Sequence, residues 1–273
     1  MKLEYGTLLC PDPIKLSMGT IKQPTLRDIR ELSFEKFGAY ELYMKITPEE
    51  YYTQILKPNG GEKIWDSLTL QQKVEMTMYD LLIQDKEIRS VYLDIFSFFF
   101  LEEIVFVDDL FIILKDESER PEKEDDGELS ADDICGVISK DNFNDILELL
   151  QQVCHIYDAD KSQEEAKAKY KNKLADTLMK KMKKGQEEQK KREAKRSGNK
   201  DMTLSNIISS VANKHPTLSP LNIWDITVFI LLDSFDRIQT NEDYDMLKRS
   251  VSVWGDEKKI FKREYWHKNL YET

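Results

Sequence analysis

Apolar residues recur along this chain mainly at steps of three and four, the spacing that lines one face of an α-helix. Val74, Met78, Leu81 and Leu82 trace one such face, and Ile88, Val91, Tyr92, Ile95, Phe96 and Phe99 trace the next. Start signals precede several of these runs. Thr69-Leu70-Gln71-Gln72 has the form of a capping box, in which Thr69 and Gln72 satisfy each other's free backbone donors. Thr47 before Pro48-Glu49-Glu50 pairs a cap with a first-position proline and acids at the positive helix end. Pro24-Thr25 opens a helix with Leu26, Ile29, Arg30, Leu32 and Phe34 at near-helical spacing. Ser139 stands ahead of Phe143, Ile146, Leu147, Leu150 and Val153 as the expected cap of another, and Pro58-Asn59-Gly60-Gly61 breaks the chain.

The period changes after residue 102. Glu103–Val107, then Asp108-Asp109, then Leu110–Leu114 reads as a β-hairpin with an acidic turn, and Ile134–Ile138 as a third strand. Near the start, Pro13–Leu16 and Gly19–Lys22 read as a smaller hairpin around Ser17-Met18. The fold class expected is therefore mainly α with a small β element.

In the last third, Thr203–Val211 predicts a short helix ending before Pro216. Ser219-Pro220 then predicts a helix with Leu221, Trp224, Val228, Leu231, Phe235 and Ile238 at steps of three and four. Ile223, Ile226, Phe229, Ile230 and Leu232 widen that stripe over most of the circumference, as in the central helix of a bundle or an interface helix. Asn241–Val253 reads as a separate helix stopped by Trp254-Gly255. Between the apolar regions, Ser162–Arg196 reads as a very polar helix with a narrow apolar stripe of Tyr170, Leu174, Leu178 and Met182. Three parts follow: an α+β part over 1–160 with an acidic loop at 116–133, a charged segment over 161–200, and a helical part over 201–273.

The 273 residues carry a net charge of −11 at pI about 5.0, and 10% are aromatic, too many for a disordered chain. Charge is segregated. Glu102–Asp133 holds 14 acidic and 3 basic residues, whereas Lys161–Lys200 holds 15 basic and 6 acidic. For the basic segment, a solvated or intramolecular role stands first, then an acidic protein partner, then nucleic acid. Acids are interspersed, Tyr170 is its one aromatic residue, and the chain as a whole is acidic, so nucleic acid is the weakest of these.

Candidate chemistry is sparse. Cys10, Cys135 and Cys154 are widely spaced and odd in number, and no Cys/His zinc spacing exists. Gly60-Gly61-Glu62-Lys63 lacks the first glycine and the Ser/Thr of a P-loop. Cys154-His155 reads as a buried thiol beside a surface imidazole. Asp225, Asp233 and Asp236 form the best carboxylate set. On one continuous helix, however, Asp225 and Asp236 would lie about 16 Å apart, beyond one metal ion or an acid/base couple. The reading therefore expects no catalytic residues, no metal and no cofactor. The apolar runs Phe98–Leu101 and Ile226–Leu232 are too short for a membrane span. Met1–Gly6 lacks the basic and apolar stretches of a signal peptide, so a reducing compartment is expected.

Leu221–Thr227 running into Leu231–Phe235, then Val253-Trp254-Gly255 and Trp266–Leu270, resembles tail-region proteins of phages infecting Gram-positive bacteria. Gly136–Phe143 also resembles them. The resemblance covers roughly the second half of the chain. It implies a structural or assembly role, such as that of tail assembly chaperones, with tape-measure or tail-tube proteins as partners in the host cytoplasm. A permanent place in the virion is the alternative, a nucleic-acid factor acting through 161–200 a further one, and association with a second copy stays open. A protein of that kind needs apolar contact area. Phe98, Phe99, Leu221, Trp224, Val228, Leu231, Phe235, Trp254 and Trp266 are the candidate partner-binding residues.

Overall fold

The computed structural model describes residues 2–116, 118, 130–156, 203–256 and 261–267. The chain forms two compact units, Met1–Cys154 and His155–Thr273. It is mainly helical with two small antiparallel sheets.

The first unit runs α1 (Tyr5–Leu9), β1 (Ile14–Leu16), β2 (Gly19–Ile21), α2 (Leu26–Leu32), α3 (Phe34–Lys45) and α4 (Pro48–Glu50). After a π-helical turn at Tyr51–Ile55 come α5 (Gly61–Ser67), α6 (Leu70–Glu75), α7 (Met78–Gln84) and α8 (Lys86–Phe99). The strands β3 (Ile104–Val107), β4 (Leu110–Leu114) and β5 (Ile134–Ile138) precede α9 (Phe143–Val153). Reciprocal caps set the starts of α2, α4, α6 and α7. In each, a threonine (Thr25, Thr47, Thr69, Thr77) accepts from the third helical N–H, and that residue's side chain returns the bond. Such caps are worth about 1 kcal/mol each. The run from Leu26 to Phe34 is not one helix, because Ser33 at φ 91° breaks it and then caps α3 through Lys36 N–H. Ser139 likewise does not cap α9 directly. Its N–H donates to Asn142 Oδ1 at 2.8 Å, and the helix begins after that turn.

Two-residue turns fix both hairpins. β1 pairs β2 with Leu16 opposite Gly19, and β3 pairs β4 with Val107 opposite Leu110. Asp108 and Asp109 take φ of 49° and 60°, the left-handed pair that a tight hairpin of this hand requires. Tyr79 anchors the turn, its hydroxyl donating to Asp109 O at 2.6 Å. β5 completes the sheet on the other edge of β4, with an irregularity where the register shifts between Ile113 and Leu114. Alternation then places Ile104, Phe106, Phe111, Ile113 and Ile138 on one face, where all but the half-buried Phe106 are buried. The ridge of α8 meets this face, with Phe96 and Phe111 edge to face at 4.9 Å. Phe143 of α9 closes on Tyr79 at 5.2 Å and Tyr92 at 5.1 Å.

The chain start is fastened to the far end of the unit. Leu3 N–H donates to Gln152 Oε1 at 2.8 Å, and the β1–β2 turn packs on β5. A Cβ on Gly136 would meet Met18 O at 2.3 Å and Met18 Cα at 2.6 Å, so only glycine admits this approach. Gly61 is under the same constraint against Tyr52 O.

The second unit contains α10 (Leu204–Lys214), a 3₁₀ turn at Ile223–Asp225, α11 (Val228–Trp254) and a 3₁₀ turn at Arg263–His267. Here the structure departs from the sequence pattern. Leu221–Ile238 is not continuous, because Ile226 and Thr227 are extended and Thr227 caps α11 by accepting from Ile230 N–H. Asn241–Val253 is not a separate helix but the second half of α11. The expected polar helix Ser162–Arg196 lies outside the described residues.

Gly136→Ala is expected to destabilise the first unit by about 1–3 kcal/mol through overpacking. A lowered urea midpoint, read from Trp65 in a chain whose other tryptophans are replaced by Phe, checks this.

Candidate partner-binding surface

The second unit builds its core from a short stretch of each element. Ile207, Ile208, Val211 and Ala212 of α10 are buried together with Ile223, Val228, Phe229 and Leu231. Burial ends part-way along α11. Beyond Asp233 its side chains are half-buried or exposed, so the second half of a helix about 40 Å long is largely in water. Apolar groups persist there: Met246 and Val253, two turns apart, are exposed, and Trp254 is 82% exposed.

The residues that the sequence pattern nominates divide accordingly. Val228 and Leu231 are fully buried core, and Phe99 is buried in the first unit. Phe98 is half-buried among rings, 5.9 Å from Tyr40 and 6.3 Å from Phe37, with Lys22 Nζ 5.4 Å from its centroid. Trp224 and Phe235 are half-buried, and the Trp224 indole N–H donates to Pro220 O at 3.1 Å. Leu221 is 90% exposed and Trp266 54% exposed. Leu221, Trp254 and Trp266 are therefore the nominated residues presented to solvent. Pattern alone does not nominate Met246 or Val253, which look like core positions of a short amphipathic helix; the structure leaves both exposed, although Phe261 packs on Tyr244 of the same half of α11 at 5.4 Å. Leu70 and Val74, one turn apart on α6, are exposed in the same way in the first unit.

Of the carboxylate set, Asp225 belongs to the 3₁₀ turn, while Asp233 and Asp236 share α11. His155, at φ 56°, is not a surface residue. Its ring lies 5.0 Å from that of Phe229, and its Nε2 is 3.8 Å from Asp236 Oδ2. Burial pushes the imidazole below its ordinary value against the pull of Asp236 and Asp233. Burial also pushes the Asp236 carboxyl up against the pull of His155. Desolvation thus outweighs pairing for both partners. Cys154 is fully buried, and its thiol is pushed well up by burial. Among the described residues no group of three or more His, Cys, Asp or Glu side chains is placed to hold a metal ion, and no helix is long and apolar enough to cross a membrane.

Residues 190–271 match a family model described as the YomV second domain, a phage-derived family. The match covers less than a third of the chain and includes Leu221, Trp224, Trp254 and Trp266. No curated protein and no solved structure matches the chain.

Two outcomes separate surface from core. Trp254→Ser and Leu221→Ser are expected to change stability by less than about 0.5 kcal/mol, whereas Leu231→Ala should cost about 2–5 kcal/mol; thermal melts of the three variants check this. The depressed His155 value means that the unfolded chain takes up this proton first as pH falls. Its contribution is therefore complete above the ordinary value near 6.5 and is lost on acidification below it. His155→Asn, which tolerates the positive φ, is expected to reduce the drop in Tm between pH 7 and pH 5.5.

Proposed function

We propose that this protein is a non-enzymatic phage assembly factor that binds a tail polypeptide during morphogenesis, in the manner of a tail assembly chaperone. One observation carries the reading: the part of the chain that matches a phage-derived family bears large apolar side chains in water on the second half of α11. Exposed apolar groups of this size are contact area, and Trp is among the residues enriched at interface hot spots. The resemblance of Leu221–Phe235, Val253–Gly255 and Trp266–Leu270 to tail-region proteins supplies the tail-specific element. A tape-measure or tail-tube polypeptide in the host cytoplasm is the proposed client.

The arrangement suits transient capture. Acidic and basic side chains alternate with the apolar groups on α11, as in Asp243, Asp245, Lys248 and Arg249, and keep the unliganded surface soluble. A client that buries Trp254, Val253 and Met246 would gain apolar contact without reorganising the α10–α11 core.

Mixed with tail-tube or tape-measure polypeptides, the protein should co-elute with one of them and suppress its aggregation. Trp254→Ser combined with Val253→Ser should remove both effects while the fold is kept. Neither co-elution nor suppression with any tail polypeptide would overturn the proposal. Recovery of the protein in purified particles would replace it with a permanent virion component.

A further inference from the structure

The three-stranded sheet has a second face. Register places Val105, Ile112 and Val137 in one cross-strand row and Val107 with Leu110 in the next, all pointing away from α8. Antiparallel sheets with one wet face alternate apolar with polar residues. These strands are apolar on both sides, Ile-Val-Phe-Val and Leu-Phe-Ile-Ile-Leu, which is the pattern of a sheet covered twice. Yet Val105, Leu110, Ile112 and Val137 are only half-buried, and Val107 is 38% exposed.

Among the described residues, acids predominate around this face, with Lys115 and Lys140 the basic residues near the strand ends. Exposed Glu103 precedes Val105 on the same side of β3, Asp108 and Asp109 form the turn between Val107 and Leu110, and Asp116 and Asp132 flank the other ends of β4 and β5. The stretch from Glu102 to Asp133 holds 14 acids and 3 basic residues, of which Lys115 is described. A second copy would bring the same acidic rim against this one, so like charge opposes face-to-face pairing. A membrane surface with anionic headgroups is opposed for the same reason.

We infer that this face is a docking site for a cationic amphipathic helix of a partner protein. Three strands spaced about 4.8 Å apart give an apolar strip about as wide as one helix, and a helix laid on a sheet face is the standard way to cover it. The apolar stripe of the incoming helix covers Val105, Ile112 and Val137, and its Lys and Arg side chains reach the rim of Glu103, Asp108 and Asp109. This site lies in the first unit and stands independently of the tail reading and of the α11 surface.

The test uses the full chain and a fluorescein-labelled model peptide of 18 Leu and Lys residues with Leu on one helical face. Saturable anisotropy is expected, which a scrambled peptide of the same composition and a Leu/Glu counterpart do not give. Ile112→Lys should weaken binding about tenfold or more, since it removes apolar contact and adds repulsion. Asp108→Asn with Asp109→Gly, a pair that suits this turn, should weaken it several-fold with an unchanged circular dichroism spectrum, which keeps the test valid if Ile112→Lys fails to fold. Equal binding of the scrambled peptide, or binding lost with Trp254→Ser and kept in a folded Ile112→Lys, overturns the inference. So does a dimer that Ile112→Lys abolishes, which assigns the face to a second copy. A chain that refuses the peptide until Lys180, Lys181, Lys183 and Lys184 are changed to Gln fills the face with its own basic segment, and this too overturns it.

Discussion

Tyr92, Phe96 and Phe99 project from successive turns of α8 and are shut off from water, and the neighbouring elements are placed by how they cover these rings. β4 brings Phe111 edge-on to Phe96, α9 brings Phe143 against Tyr92 and Phe96, and α3 brings Phe37 and Tyr40 against Phe98 beside them. Edge-to-face pairs of this kind add about 0.5–1.5 kcal/mol each beyond the area they bury, and they also fix angle. The Tyr92 hydroxyl donates to Tyr43 O at 2.8 Å, so even the polar tip of the ridge is satisfied. Arg89, on the same helix, donates to the carbonyls of Leu82 and Ile83 at the end of α7 and lies 4.6 Å from the Phe106 ring. One helix thereby sets the angle of α7, the seating of the sheet and the position of its outer edge.

Local signals carry much of this fold in legible form. Thr47, Thr69 and the Asp108-Asp109 turn act through residues within a few positions of themselves, and helix starts and strand partners follow from them. The errors arise where a local signal competes with a tertiary one. Ser219-Pro220 is a sound helix start in isolation, and Ser219 N–H does donate to Asn222 Oδ1, but the result is a turn and a single 3₁₀ turn. The lasting helix begins at Thr227, a buried threonine without a following Glu or Gln to mark it. Asn241 reads as a new start because polar residues crowd there, although nothing in that stretch breaks α11.

The candidate surface is less legible than the fold. Hydrophobic periodicity states which residues share a face and is silent on whether a face has a neighbour. Val228 and Leu231 fit the stripe and prove to be core, whereas Trp254 fits the end of the helix and proves to be in water. The sheet carries a further signal that periodicity passes over. Strands apolar at every position demand cover on both sides, and residues 104–107 and 110–114 display that demand in their composition alone.

The bond from Leu3 to Gln152 and the seat of Met18 on Gly136 have a consequence during synthesis. Residues 3–22 find their lasting neighbours in steps as the first unit is translated: Thr20, Ile21 and Lys22 meet Phe99, Phe100 and Leu101, then Met18 meets Gly136, and last Leu3 meets Gln152. Until residues 99–101 are made the β1–β2 ribbon has no backbone partner beyond itself, and two-stranded ribbons alone are marginal in water. Closure of the first unit is therefore a long-range event, completed only when β5 and α9 arrive.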